Sequence, residues 1–144
     1  ITNAIIDKVY AAGKATDADF VITEIGGTVG DIESEPFIEA IRQVGRDKGK
    51  ENVLFIHVAL IVCLAMSKEL KTKPAQHSVK QLLSQGIQPD ILVCRTEYPL
   101  GESEKAKLAR FCGVDDECII ENADCSSLYE VPLMLEEQNI ADVV

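Results

Sequence analysis

Apolar residues recur along this chain with two periods, one suited to helices and one to strands. In ITNAIIDKVYAAG, Ile5, Ile6, Val9 and Gly13 fall on one helical stripe, which predicts a helix stopping at Gly13. DFVITEI, Asp19 to Ile25, reads as a short buried strand. EPFIEAIRQVGRDKG repeats the helical stripe at Phe37, Ile38, Ile41 and Val44, with Ser34 as N-cap and Pro36 in the first turn. NVLFIHVAL is a near-continuous apolar run rich in β-branched residues, the pattern of a strand covered on both faces. PAQHSVKQLLSQG predicts a helix that opens near Pro74, turns Val79, Leu82 and Leu83 inward and ends at Gly86. DILVCR is a further strand, SEKAKLARFCG a helix capped by Ser103, and ECIIE a short final strand. SSLYEVPLMLEEQ closes as a helix broken or offset near Pro132.

The order α-β-α-β-α-β-α-β-α predicts an α/β fold, a doubly wound and mostly parallel sheet with helices on both faces. Such a domain ordinarily begins with a strand. This chain begins with a helix, so the first β unit is expected to be absent from it. Residues 1–144 are expected to form a single domain, because the length and the 47% hydrophobic content suffice for an ordinary core.

Composition narrows the function classes. The longest apolar run, Phe55 to Met66, is interrupted by His57 and falls short of the ~20 residues a membrane helix needs. A soluble protein is expected on that ground, and without a charged-then-apolar leader at the start nothing in the sequence argues for secretion. Five cysteines without a C-x-x-C pair fit neither a disulfide framework nor a zinc site, and they read as reduced thiols in a cytoplasmic protein. The net charge of −10 is uneven: Asp115 to Val144 carries nine acids and no Lys or Arg. A nucleic-acid binder wants a basic face, which this composition lacks. Lys68, Lys71, Lys73 and Lys80 nevertheless stand against only Glu69, an island suited to a small polyanion.

Two loops carry candidate chemistry. EIGGTVGDIES, Glu24 to Ser34, gathers carboxylates around Gly26, Gly27 and Gly30 where a strand would end, the place open α/β sheets keep ligands. Glu24 there can hold Mg²⁺ with phosphate oxygens and water, or merely cap a turn. KTKPAQ, Lys71 to Gln76, sets two lysines before a Pro-started helix, where the helix N-terminus also favours an anion; a solvated basic loop is the plainer reading. Gln76 can read a base edge or simply sit in the first turn. His57 and His77 read as structural, and no nucleophile–base pair emerges from the spacing.

Taken together, EIGGTVGDIES, KTKPAQHSVKQLL, GIQPDILVCR and EKAKLARFCGV closely resemble the synthetase (amidoligase) domain of the CTP synthases, in register over essentially the whole chain. The resemblance implies a P-loop NTPase fold similar to dethiobiotin synthetase, and a glutamine-hydrolysing carbon–nitrogen ligase of pyrimidine biosynthesis. ATP phosphorylates the uracil carbonyl oxygen of UTP, and ammonia from a separate glutaminase domain displaces the phosphate to give CTP. By the same resemblance Glu24 matches a Mg²⁺ ligand. Asp31, Ile32 and Glu33 match a segment that contacts CTP as feedback inhibitor. Lys71, Thr72, Lys73, Pro74, Ala75 and Gln76 match a segment shared by UTP and CTP, with Lys71 and Lys73 as the catalytic lysines, and Lys107 matches a lysine on their phosphates. Ala123, Asp124 and Cys125 match, by position alone, the adenine-side contact of ATP. A cytoplasmic homotetramer without nucleic-acid or membrane partners is implied.

The chain departs from the family in lacking its amino-terminal strand, its phosphate loop with a lysine and a second metal-binding Asp, and its glutaminase domain. It is therefore expected to be a fragment that does not turn over alone. Before KTKPAQ the family usually shows Pro-aromatic and Gly residues, where this chain has Val62, Cys63 and Lys68. Two rival expectations stand beside the ligase: a noncatalytic nucleotide-sensing module using the same loops, and an acidic α/β interaction domain that binds no nucleotide.

Overall fold

The computed structural model describes residues 1–144, and the chain divides into two compact units, Ile1–Val53 and Leu54–Val144. The first is helical. Helix α1 spans Thr2–Thr16 and helix α2 Glu35–Lys48, and within this unit the Lys48 ammonium lies 4.9 Å from the centroid of the Tyr10 ring. Helix α1 does not stop at Gly13 as expected. It runs on to Asp17, which takes the left-handed conformation (φ 48°). Gly13 serves another end, since a Cβ there would come within 3.0 Å of Val21 Cγ2; the glycine lets the following loop approach the helix.

The strand expected over Asp19–Ile25 is not formed. Residues 18–30 are turns and extended chain, and Phe20 and Ile22 are 82% and 95% exposed. The physical reason is pairing: a strand needs a neighbour for its N–H and C=O groups, and the unit Ile1–Val53 contains no other strand. In α2, Ile38 and Val44 of the expected stripe are buried, Ile41 is half-buried and Phe37 stays exposed, while Ala40, outside the stripe, is buried as well. Ser34 precedes the helix but does not cap it with its side chain, because Ser34 Oγ donates backward to the Asp31 carbonyl at 2.8 Å.

The second unit is built on a parallel sheet in the order β1-β4-β5, from strands β1 (Ile56–Leu60), β4 (Ile91–Thr96) and β5 (Ile119–Ala123). Register runs Ile56 to Ile91 and Leu92 to Ile119. Helices α3 (Lys73–Ser84) and α4 (Glu102–Cys112) make the crossovers. Their Val79, Leu108 and Cys112 pack with Ala59, Leu92, Cys94 and Ile119 on one face of the sheet. On the other face, Leu135 of α5 (Val131–Glu136) and Ile140 and Val143 of α6 (Ile140–Val143) cover Ile91, Val93 and Ile120. This is a mixed α/β architecture with a parallel sheet flanked by helices, as the element order predicts.

Several local expectations are corrected here. Strand β1 is covered on one face only: His57 and Ala59 are buried, while Ile56, Val58 and Leu60 are exposed. Leu83 of α3 points outward at 40% exposure. Helix α4 is entered through Gly101 rather than Ser103, whose hydroxyl instead donates to Glu104 Oε2 at 2.9 Å. Pro132 stands in the first turn of α5, where its missing N–H costs nothing, so the closing helix is offset behind a short 3₁₀ turn over Leu128–Glu130. A feature absent from the periodicity is an antiparallel hairpin after β1, made of β2 (Val62–Leu64) and β3 (Glu69–Lys71). Its turn places Lys68 in the left-handed region at φ 53°.

Candidate functional site

Parallel strands with crossover helices deliver all following loops to one edge of the sheet, the carboxyl edge. In the second unit that edge receives the β2–β3 hairpin with the start of α3, and the segments beyond β4 and β5. Lys71 ends β3, Thr72 is the N-cap residue and Lys73 opens α3 with Pro74 in its first turn. Thr72 and Ala75 are buried at 4% and 1%, so the turn is anchored through them. The Gln76 amide donates to Thr72 Oγ1 at 3.0 Å, which fixes the carboxamide beside the lysines. Lys73 is exposed, whereas half-buried Lys71 forms an ion pair with Glu69 two residues back on the same strand. Lys107 is exposed on α4.

At the ends of β4 and β5, Arg95, Asn122, Ala123, Asp124, Cys125 and Leu128 line an open cavity of about 640 Å³, to which Val131 and Pro132 also contribute. The Asp124 N–H donates to the Thr96 carbonyl at 2.9 Å, carrying the β4–β5 pairing one residue further, and buried Thr96 donates its hydroxyl to the Tyr98 carbonyl at 2.8 Å. Cys125 Sγ lies 3.1 Å from the Ser127 carbonyl. Sequence reasoning singled out Ala123, Asp124 and Cys125 but missed Arg95, Asn122 and Leu128. The available signal was position: Arg95 and Asn122 are the residues next to the ends of their strands.

The first unit holds the other candidates. Glu24 is exposed in the loop beside Gly26 and Gly27, and Gly27 and Gly30 take φ values of 88° and 102° that side chains rarely adopt. Asp31 closes a turn in which its Oδ2 accepts from the Thr28 N–H at 3.3 Å, and Ile32 and Glu33 are exposed. The loop is thus shaped by glycines and by Asp31, not by pairing in a sheet. No three His, Cys, Asp or Glu side chains gather into a cation cage. Glu24 offers a single exposed carboxylate, a donor of the hard-oxygen kind that Mg²⁺ takes.

The perturbed titratable groups lie away from these loops. Burial lowers the His57 pKa; its Nε2 and Ser78 Oγ share a 2.9 Å hydrogen bond linking β1 to α3. Burial pushes the Cys94 thiol up to about 12 and the Cys112 thiol up to about 11. On α2 the Arg42 guanidinium, and after it the Gln43 amide, hold the Glu39 carboxyl down at about 2. None of these groups is poised for acid–base work at a ligand.

The sheet order and its crossovers define a parallel α/β domain, the class of sheet whose ligands are ordinarily met at the carboxyl edge. The family model described as "CTP synthase N-terminus" matches residues 1–144, and the chain belongs to that family. It is 58% identical over all of its 144 residues to proteins named CTP synthase from Ruminiclostridium cellulolyticum, Clostridium beijerinckii and Pelotomaculum thermopropionicum. The chain spans 27% of the length of these relatives. No helix is long and apolar enough to cross a membrane.

Proposed function

We propose that the protein carrying this chain is a CTP synthase, an enzyme that aminates UTP to CTP with ATP and with ammonia drawn from glutamine by a glutaminase domain of the same polypeptide. The chain supplies the part that holds UTP, and CTP as feedback inhibitor, together with a portion of the ATP site. Lys71 and Lys73 are the catalytic lysines: they offset the triphosphate charge and the charge that grows as the phosphoryl group moves to the uracil oxygen. Thr72, Pro74, Ala75 and Gln76 form the rest of that turn, and Lys107 takes a further phosphate. Asp31, Ile32 and Glu33 contact CTP, and Ala123, Asp124 and Cys125 flank the adenine in the cavity beyond β5. Glu24 would hold magnesium through its carboxylate, and the ion would supply positive charge against phosphate oxygens. The working form is a cytoplasmic homotetramer.

The observation that carries this reading is the Lys71–Gln76 turn. It is anchored by buried Thr72 and Ala75, sits at the carboxyl edge of a parallel sheet, and occurs in a chain of the CTP synthase N-terminal family. Isothermal titration of the full-length protein with UTP and with CTP tests it. Both nucleotides should bind, and Lys73→Ala and Lys107→Ala should each weaken binding by about tenfold or more, as the loss of a charge-assisted contact does. Binding without CTP formation from UTP, ATP and glutamine would make the protein a sensor instead. Absence of binding by either nucleotide would refute the reading altogether.

A further inference from the structure

Glu69 is the only residue that forms an ion pair with Lys71, and the geometry of β3 explains why. Side chains two apart on a strand project to the same face, so the Glu69 carboxylate and the Lys71 ammonium meet without any turn of the backbone. Across the hairpin, Glu69 stands opposite Leu64 and Lys71 opposite Val62, so neither charge has an opposite number on β2. The Glu69 and Lys71 side chains remain 58% and 42% exposed, and an ion pair so wet is held weakly and exchanged readily. Lys73, two residues on, takes part in no ion pair. The basic turn therefore presents one free lysine and one that is already answered by a carboxylate.

We propose that Glu69 sets the affinity and the phosphate-number specificity of this turn by occupying Lys71 until a polyphosphate displaces it. The proposal rests on the reading of Lys71 and Lys73 as nucleotide-phosphate contacts. A ligand with one phosphate can use Lys73 without disturbing the Glu69–Lys71 pair, and gains little. A triphosphate is long and charged enough to reach both lysines; it must pull Lys71 away and tolerate the carboxylate left beside it. Glu69 is thus a positioning residue that acts through Lys71, and it tunes binding downward.

Titration calorimetry on the full-length protein decides the matter, using UTP and UMP at low and at high salt with wild type, Glu69→Gln, Lys71→Ala and the double variant. The neutral amide keeps the shape of the side chain. Glu69→Gln should tighten UTP by about two- to fivefold at low salt, the size expected of a wet, screened charge pair, and less at high salt. UMP should change by less than UTP, and the gain should vanish when Lys71 is already Ala. A Glu69→Gln protein that binds UTP as wild type does, or more weakly, overturns the proposal. So does a gain that persists in the Lys71→Ala background. A wild type that binds no UTP removes the nucleotide reading itself, and this inference with it, which is a different result from an unchanged Glu69→Gln.

Discussion

Strand β5 lies at the edge of the sheet, and one side chain finishes that edge. The Glu121 N–H donates to Gln138 Oε1 at 2.7 Å, while Gln138 Nε2 donates to the Glu121 carbonyl at 2.8 Å and to the Met134 carbonyl at 2.9 Å. The carboxamide thus reproduces the pair of hydrogen bonds a neighbouring strand would make. Replacing it by Leu in Gln138→Leu removes three hydrogen bonds and orphans two backbone groups of β5. At ~1 kcal/mol per bond the loss would be about 3 kcal/mol, but both residues are half-buried and water can repair part of it, leaving about 2 kcal/mol. That energy is spent locally, between β5 and the α5–α6 segment, so it should show as local opening. Hydrogen exchange followed by mass spectrometry on the full-length protein should find the Glu121 amide exchanging about thirtyfold faster, the factor corresponding to 2 kcal/mol. Because α5 also brings Val131 and Pro132 to the cavity beyond β5, the residues around Asn122–Cys125 should lose protection together with Glu121. Gln138→Glu separates the contributions: it keeps the acceptor for the Glu121 N–H and loses both donors, so Glu121 should stay better protected than in Gln138→Leu. If Gln138→Leu leaves the Glu121 amide within about threefold of wild type, the carboxamide is not what holds this edge.

Two further outcomes follow from burial. Because burial raises the Cys94 and Cys112 thiols to about 12 and about 11, maleimide at neutral pH should label half-exposed Cys63 and Cys125 first and reach Cys94 and Cys112 only on unfolding; peptide mapping of timed reactions reads the order. His57 is held neutral by burial, with a folded pKa below its ordinary 6.5. As pH falls through that value the unfolded chain takes up a proton that the native chain refuses, so stability drops toward acid and is fully present at higher pH. Urea midpoints at about pH 8 and about pH 5 should therefore diverge more in wild type than in His57→Gln, and equal divergence would show that His57 does not carry the effect.

What could be read from the chain follows how local each cause is. The α3 and β4 patterns were legible because burial there is decided by neighbours that the same stretch of sequence supplies. PAQHSVKQLL carries its own stripe, and DILVCR is apolar enough to be a central strand whatever surrounds it. DFVITEI has an equally apolar composition, yet it forms no strand, because pairing is a property of two segments and the unit Ile1–Val53 contains only one. Gly13 has the sequence context of a helix stop but is a point of close approach to Val21, a tertiary fact that no window of sequence contains. The β2–β3 hairpin escaped notice because its strands are three residues each and its turn uses Lys68 at positive φ, where turn chemistry would call for Gly or Asn. Of the candidate groups, the lysine turn is legible from KTKPAQ itself, whereas Arg95 and Asn122 are set side by side only by the β4–β5 register, and Leu128 joins them from the turn beyond β5.

The residue types of KTKPAQ each answer a separate physical demand. Lys71 ends β3 and exposed Lys73 opens α3, with Thr72 buried at 4% between them as the N-cap residue. Thr72 can be buried because its hydroxyl accepts from Gln76, and that same bond orients Gln76. Pro74 suits the first turn of α3, where no N–H is needed and a fixed φ limits the motion of the lysine before it. Ala75 is small enough to lie against the sheet-facing core at 1% exposure. In a chain of net charge −10, attraction for an anion cannot come from the chain's overall field. Any such attraction has to be local, and the segment from Lys71 to Gln76 sets two lysines on a turn whose Thr72 and Ala75 are buried.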